Sequence, residues 1–494
     1  MNLTLALFLV PAVAGLGAFA IRSNGLRRFV LLLVAAAHCV MTSVTWRLTI
    51  AGTLGEWLRL DDFGRLFLSI TSVLFATAAV YTVAYLRREE GRQQRDPEEG
   101  FLFVDAPEAT FTGCLLLFLS TMTLVAESQH LGLLWVAVEA TTLASAPLIF
   151  FHRHHRSLEA TWKYLMICSV GIALALLGNF LLTVSAALLD QKNSPLLLAN
   201  LLNHAAILQA SWLKVAFIFL LVGYGTKMGL APLHTWLPDA HSESPSVVSA
   251  LLSGALLNCA LLGIIRAYQV CIAAGLRDFA SNLMVFFGLF SMAVAAVFII
   301  GQADYKRMLA YSSVEHMGIL SLGIGLGGSA AFGAVLHAVN HSLTKAMLFL
   351  VAGNILAGYR TKAVSDVKGL LRALPASGVL WLAGLFAITG TPPFGPFLSE
   401  FTILKGALEL GRWIPAAIYL GLLAVIFVGM LGIVLRMTQG DAPAGIKTGT
   451  PVRDNFFFIL PPTVLAILVT MLGLYIPPPL THALHDMARA LGGY

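Results

Sequence analysis

Four ionisable residues lie inside or directly beside long apolar runs of this 494-residue sequence. Glu139, Lys227 and Lys345 are within such runs, and Glu400 directly follows one. An ionised side chain at the centre of a membrane helix costs about 2.5–3.5 kcal/mol. A buried lysine readily loses its proton, because burial disfavours the ammonium form while a nearby carboxylate favours it. Static ion pairs that fix helix packing are the alternative for any one residue, but the set of four favours proton transfer.

A histidine pair precedes one of these lysines. His337, His341 and Lys345 are spaced i, i+4 and i+8, so they share one helix face. Zinc binding by the two histidines is an alternative. However, Lys345 would repel a cation and no carboxylate completes the site. We therefore favour a hydrated proton relay, and we expect neither a metal nor a cofactor.

Proline and glycine interrupt two of the apolar runs close to ionisable groups. Residues 227–234 read KMGLAPLH, and residues 389–396 read TGTPPFGP shortly before Glu400. Non-helical backbone is tolerated at membrane depth only inside protein or along a wet cavity. Two broken spans in corresponding halves indicate an inverted repeat with the ion path at the breaks.

The composition places this chain in lipid. It is 58% hydrophobic and only 11% charged, less than half the charged fraction of a typical soluble domain. The net charge of +6 comes from scattered basic residues without an aromatic-interleaved patch, so we expect no nucleic acid partner. The five cysteines form no CxxC pair, which argues against a disulfide framework and an iron–sulfur cluster. Any linked redox chemistry must then occur in other subunits.

Runs of the length that crosses a bilayer predict an all-α polytopic membrane protein with about fourteen transmembrane helices. Solvated loops are expected at 87–108 and 437–455. The predicted spans are 3–21, 29–46, 64–86, 109–126, 131–151, 162–187, 212–231, 245–268, 280–300, 308–328, 330–356, 375–399, 414–436 and 456–476.

The lysines and arginines of the loops predict the orientation. Loops after odd-numbered spans hold 19 of them, and loops after even-numbered spans, with the C-terminal tail, hold 9. Basic residues accumulate in cytoplasmic loops. We therefore expect the odd loops in the cytoplasm, both termini in the periplasm, and the chain in a bacterial inner membrane.

Several motifs resemble the antiporter-like subunits of respiratory complex I, Mrp-type antiporters and membrane-bound hydrogenases. The carriers of this resemblance include HTWLPDAH at 234–241, DYKRMLAYSS at 304–313 and HSLTKA at 341–346. Within that superfamily, HLGLLWVAVEATTLAS at 130–145 and SLEATWKY at 157–164 resemble component F of hydrogenase-4-type complexes. The resemblance covers roughly residues 60–440.

The resemblance implies two inverted five-helix repeats with two broken helices. It divides the chain into three N-terminal helices (1–108), a first repeat with spans 4–8 (109–275), a second repeat with spans 9–13 (276–440), and a loop with the last span (441–494).

The resemblance also implies roles for individual residues. Glu139 and Lys227 would form a pair in the first half-channel, Lys345 with His337 and His341 a central relay, and Glu400 the terminal group of the second half-channel. Family members often carry a lysine or histidine in span 8, where this chain has Asn258. The other possible relay or gate residues are His234, Glu315 and His316.

Two functions are compatible with these features. The first is a proton-translocating subunit of a redox-driven complex, with further membrane subunits and soluble hydrogenase-type or dehydrogenase-type partners. The alternative is a membrane subunit of a cation/proton antiporter or of an inorganic-carbon uptake system without redox chemistry. The chain itself would carry protons and catalyse no chemical reaction.

Overall fold

The structure is a computed structural model that describes residues 3–48, 52–90, 94–95, 102–187, 196–441 and 455–493. It is built almost wholly of helices, with one antiparallel pair of two-residue strands, β1 (Gln94–Arg95) and β2 (Leu102–Phe103). The helices of these described ranges are α1 Leu3–Ala20, α2 Asn24–Thr45, α3 Asp62–Glu89, α4 Glu108–Glu127, α5 Leu131–Ile149, α6 His155–Ser185, α7 Leu198–Asn203, α8 Ala210–Met228, α9 Trp236–Glu243, α10 Ser246–Leu251, α11 Leu257–Ala273, α12 Arg277–Ile299, α13 Tyr305–Leu326, α14 Gly328–Tyr359, α15 Leu370–Ala373, α16 Pro375–Ile388, α17 Gly395–Glu409, α18 Trp413–Thr438, α19 Phe456–Leu474 and α20 Pro478–Ala490.

Within the described ranges, eleven helices are long and apolar enough to cross a membrane, so the predicted all-α polytopic class is confirmed. The predicted count of fourteen transmembrane helices is not confirmed. The three predicted spans outside the eleven coincide with α8, with α13, and with the α16–α17 pair. Helix α8 contains two charged side chains and α13 contains three, and the third span consists of two short helices.

Both predicted breaks are present. Helix α8 ends at Met228, where Gly229 adopts the left-handed conformation with φ of 88°, and α9 begins at Trp236. Helix α16 ends at Ile388, and α17 begins after a turn in which Gly390 has φ of 63°. Glycine adopts positive φ without the steric penalty that a Cβ would introduce.

Loop contacts divide the bundle into two opposite ends. Loops that follow even-numbered spans meet at one end, where Leu58 pairs with Ser128 and His130 with Leu197. At the other end, loops that follow odd-numbered spans meet, as in the pairing of Asp105 with His152. The described residues of the predicted loop 87–108 include Asp105 at this second end, and α3 extends into the loop as far as Glu89. Most of the predicted loop 437–455 lies outside the described residues.

Helix α14 forms the centre of the second half of the chain. It packs against α13, α16, α17 and α19, and nearly all of its residues from 330 to 355 are buried. The peripheral helices expose large apolar side chains instead, including Ile414 and Val428 on α18 and Ile467 on α19. An apolar exterior around a more polar centre suits a bundle in lipid. The proposed division into repeats stays a prediction.

Candidate functional site

Lys227 lies at the end of α8, directly before the first break. Its side chain is fully buried, and its Nζ donates hydrogen bonds to the hydroxyls of Thr142 at 2.9 Å and Tyr164 at 2.6 Å. The amine also lies 4.3 Å from the centroid of the Tyr164 ring. Within the described part of the chain, no carboxylate forms an ion pair with it. Hydroxyl oxygens and an aromatic face therefore stabilise this amine directly.

Glu139 on α5 is connected to Lys227 through one hydroxyl. Thr142 donates to Glu139 Oε2 at 3.2 Å while it accepts from Lys227, and Ser169 donates to Glu139 Oε1 at 3.1 Å. The structure thus places the two predicted partners on either side of Thr142. A hydroxyl bonded in this way transfers a proton by accepting one and releasing its own.

We expect Thr142→Val to reduce proton translocation roughly tenfold, because the substitution removes the hydroxyl that joins Lys227 to Glu139 at nearly constant volume. Hydrogen bonds to charged groups contribute about 1.5–3 kcal/mol, which corresponds to that factor. The measurement is the rate of proton uptake by membrane vesicles. Thr142→Ser keeps the hydroxyl and serves as the control, with a rate within about twofold of wild type. Equal rates in the Val and Ser variants would contradict the role of this hydroxyl.

Asn258 lies at the start of α11, directly after a π-helical turn at Leu252–Leu256. Its Nδ2 donates to the carbonyl of Gly254 at 3.0 Å and to the hydroxyl of Ser342 at 2.8 Å, while its buried Oδ1 has no hydrogen-bond partner among the described residues. Ser342 precedes Lys345 by three residues on α14. Asn258 therefore contacts the helix that carries the central lysine, and its hydrogen bonds do not reach Lys227.

Lys345 is fully buried in the middle of α14. Its Nζ donates to the backbone carbonyl of Leu309 on α13 at 2.8 Å. Among the described residues, hydrogen bonds between protein groups do not form a continuous row from Lys227 to Lys345. The polar groups around Lys227 thus form a first cluster that, in the described residues, is not joined by hydrogen bonds to Lys345.

The second cluster is a row of side chains from three helices. His316 on α13 and His337 on α14 share a hydrogen bond between Nδ1 and Nε2 at 2.9 Å. The Nδ1 of His337 is bonded at 2.9 Å to the hydroxyl of Ser399 on α17. All three side chains are buried. This row connects the middle of the bundle to the helix that follows the second break.

The remaining predicted relay residues differ in how they join this row. His341 lies beside it, with its ring centroid 5.2 Å from that of His316, but neither of its ring nitrogens has a hydrogen-bond partner in the described ranges. Glu315 Oε2 lies 3.9 Å from His316 Nε2 and accepts from Ser312. His234 is outside the row and packs edge-on against Tyr311.

Glu400 is buried in the first turns of α17, and its Oε1 has no hydrogen-bond partner in the part of the chain that the structure describes. Its carboxylate lies against the broken backbone, because a Cβ on Gly390 would clash with Glu400 Oε2. A side chain at position 390 would displace this carboxylate. The second break therefore leaves room for Glu400 as well as interrupting the helix.

A charged network lies at the end of the bundle formed by the odd loops. Lys362 donates to Glu243 at 2.7 Å, and Arg307 donates to Asp239 at 2.6 Å, so α9 is fixed to the loop after α14 and to the first turn of α13. Burial raises the pKa of the Glu243 carboxyl, but the charge and hydrogen bond of Lys362 and the charges of Arg156 and Lys306 together leave that pKa below its usual value. Glu243 is therefore a stable anion beside the first break.

Three hydroxyl residues that form hydrogen bonds in the two clusters were not predicted from the sequence. Thr142 and Tyr164 bond Lys227, and Ser399 bonds His337. Thr142 follows Glu139 by three residues and Ser399 directly precedes Glu400, so their spacing to a predicted acid was the available signal. Tyr164 has no such signal.

A family described as the transmembrane region of NADH:quinone oxidoreductases and Mrp antiporters matches residues 128–427, which include both breaks and every predicted relay residue. The chain belongs to this family. It is 37% identical over 427 residues to a hydrogenase-4 component F homologue of Methylacidiphilum infernorum, with 86% of each chain covered.

This chain is also similar in sequence to a second relative and similar in fold to a solved structure. NADH-quinone oxidoreductase subunit N of Desulforudis audaxviator is 29% identical, with 78% of this chain and 74% of the relative covered. A chain of the membrane-bound sulfane sulfur reductase, an archaeal respiratory membrane complex, superposes with a TM-score of 0.86 over all of this chain and 98% of that chain. At 19% identity, this last likeness establishes the fold alone. The chain is thus a multi-pass membrane protein with the antiporter-like fold.

Proposed function

We propose that this chain is the proton-translocating membrane subunit of a multisubunit redox complex. The observation that carries the proposal is the pair of buried polar clusters, one around Lys227 and one around His316, His337 and Glu400. Ionisable groups inside a membrane bundle are expensive and typically mark ion pathways. The membership of the family and the relatives in hydrogenase-4 and NADH-quinone oxidoreductase complexes support the same function.

The proton route that we propose begins in the first cluster. A proton enters near Glu139 and Lys227, crosses to Lys345, and leaves past Glu400. A permanently continuous route would dissipate the membrane potential, which is worth about 2.3 kcal/mol per charge at 100 mV. The interruption near Asn258 is our candidate for the gated junction, because the two clusters of described residues are not joined there.

The partners that we propose are neighbouring membrane subunits and soluble hydrogenase-type or dehydrogenase-type subunits. Glu139 is only half-buried, and Ser169 beside it is exposed. A partly exposed carboxylate in a spanning helix is costly in lipid, so a second membrane protein would cover this face. The sequence contains no CxxC pair for an iron–sulfur cluster, so the electrons must pass through other subunits.

The alternative is a membrane subunit of an antiporter or an inorganic-carbon uptake system, which would need no redox partner. Purification through an affinity tag on this chain distinguishes the two. Copurifying subunits with flavin or iron–sulfur absorbance are expected for the redox complex. A purified assembly that contains this chain without any such subunit would contradict our proposal in favour of the alternative.

We further propose that the odd loops face the cytoplasm of a bacterial inner membrane and that both termini are periplasmic. Asp441 and Glu56 are exposed at opposite ends of the bundle, whereas the native cysteines are buried or half-buried. In a variant without those five cysteines, Asp441→Cys should react with a membrane-impermeant maleimide only in inside-out vesicles, and Glu56→Cys only in intact spheroplasts. The reverse pattern would invert the proposed orientation and the direction of the route.

A further inference from the structure

Three buried side chains from three different helices converge at the end of the second cluster. His316, His337 and Glu400 each offer a ligating atom, and these atoms lie within 4.8 Å of one another. In the sequence, zinc binding by His337 and His341 lacks a carboxylate. The fold supplies one from a distant segment, because the second break places Glu400 against the histidines.

Hydrogen bonds define which lone pairs are free. If the Ser399 hydroxyl donates to the carbonyl of Pro396, which lies 2.9 Å away, it accepts the Nδ1–H of His337. The Nε2 of His337 then carries a lone pair and accepts the Nδ1–H of His316. It follows that His316 Nε2 also carries a lone pair. Like Glu400 Oε1, that atom is buried without a hydrogen-bond partner among the residues that the structure describes.

Two unpartnered acceptors in one buried cluster require a cationic or donating partner, because buried polar atoms are nearly always bonded. Imidazole nitrogen with carboxylate oxygen is a donor set for Zn²⁺ and similar transition metals, whereas Mg²⁺ and Ca²⁺ favour oxygen alone. Zinc bonds of about 2.0–2.2 Å put tetrahedral ligands about 3.3 Å apart. The present spread of up to 4.8 Å would therefore contract by roughly 1.5 Å.

We propose that His316, His337 and Glu400 form a binding site for a divalent transition metal of the zinc class, and that the bound metal blocks the second half-channel. Glu315 Oε2, 3.9 Å from His316 Nε2, is the nearest further carboxylate of the described residues and would reduce the charge of the site. His337 would join by exchanging its hydrogen bond with His316 for the metal.

The bound metal would block the second half-channel because of the groups that it binds. It takes the lone pairs of both imidazoles and the carboxylate of Glu400, so none of these groups can accept a proton. It also links α17 to α13 and α14, which prevents the second break from moving. Only this inhibitory step depends on the proposed function, because the binding step depends on the three side chains alone.

The test uses the purified complex that contains the full chain. After treatment with a chelator and desalting, the complex is titrated with Zn²⁺ and the bound metal is measured by elemental analysis. Co²⁺ replaces Zn²⁺ in a parallel titration, because a tetrahedral Co²⁺ site has a characteristic visible spectrum. We expect one tightly bound metal for each copy of this chain, and a loss of affinity of about tenfold or more in both His337→Gln and Glu400→Gln.

His241→Gln is the matched control. His241 is equally buried and its ring nitrogens have no partner in the described ranges, but it stacks on Phe349, about 18 Å along α14 from His337. This variant should bind the metal like wild type. Absence of binding in wild type, or wild-type affinity in both His337→Gln and Glu400→Gln, would overturn the site.

A measurement of proton flux distinguishes a failure of the metal-binding proposal from a failure of the proposed function. We expect Zn²⁺ to inhibit proton translocation by wild type over the concentration range in which the metal binds. Metal bound at this site without inhibition would overturn the block while leaving the proposed function intact. If the metal-free wild-type complex translocated no protons, the proposed function would fall, and the titrations with the Gln variants would still decide the site.

Discussion

Replacing Lys227 by alanine should abolish proton translocation, with a loss on the order of a hundredfold or more, while the complex still assembles and turns over its redox substrate. That scale corresponds to the removal of a group that transfers a proton directly. The Lys227 amine is fully buried between the hydroxyls of Thr142 and Tyr164. In the alanine variant, these hydroxyls lack the amine that would bind and release the proton. The measurement is the pH gradient formed by inside-out vesicles, with the redox rate recorded in parallel.

Two further variants make this result specific. Lys227→Arg should also fail, because a guanidinium keeps its charge but does not release its proton. Lys214 is the matched control, since it lies on the same helix but is exposed near its start. Lys214→Ala should translocate within about twofold of wild type, as expected for a surface change. Full translocation by Lys227→Ala, or by Lys227→Arg, would remove Lys227 from the route.

Replacing Glu400 by glutamine should reduce proton translocation by about a hundredfold, again the scale of a lost proton-transfer group. Glutamine has nearly the same shape, so it fits against Gly390 without a steric change, but its amide does not exchange a proton in this way. Glu400 Oε1 is buried and unpartnered among the described residues, so the variant loses a proton acceptor without losing a structural hydrogen bond of that atom. The rate of proton release from vesicles of known orientation measures the effect.

Glu409 provides the control for this substitution. It lies at the end of the same helix, where it is exposed and accepts a hydrogen bond from Ser329. Glu409→Gln should leave the rate of proton release within about twofold of wild type. A Glu400→Gln variant as active as Glu409→Gln would mean that protons leave the bundle by another route.

The apolar runs and the two breaks could be predicted from the sequence because both are local properties. A helix that crosses a bilayer needs about 20 apolar residues in succession, and proline removes a backbone donor wherever it occurs. The predicted spans at α8, α13 and the α16–α17 pair stay unconfirmed, because charged residues or a break interrupt the apolar length there. The amphipathic helix α20 was not predicted, since it lies after the last long apolar run.

The partners of the charged groups could not be predicted in the same way. Thr142 could have been predicted as a neighbour of Glu139 from helix periodicity, because the two residues are one helical turn apart. By contrast, the proximity of Glu400 to His316 depends on how α17 packs after the break, which no local pattern encodes. Hydroxyl residues are also frequent in membrane helices, so their presence alone does not distinguish a proton relay from ordinary helix packing.

The most direct test of proton translocation by this chain is the number of protons moved per electron by the purified complex in liposomes, with a pH-sensitive dye trapped inside. Wild type is compared with a variant that carries both Lys227→Ala and Lys345→Ala, which removes both buried lysines of the proposed route. We predict a lower proton-to-electron ratio in the variant, with the electron transfer activity of an assembled complex. An unchanged ratio in the variant would contradict the account, because protons would then cross the membrane without the buried lysines of this chain.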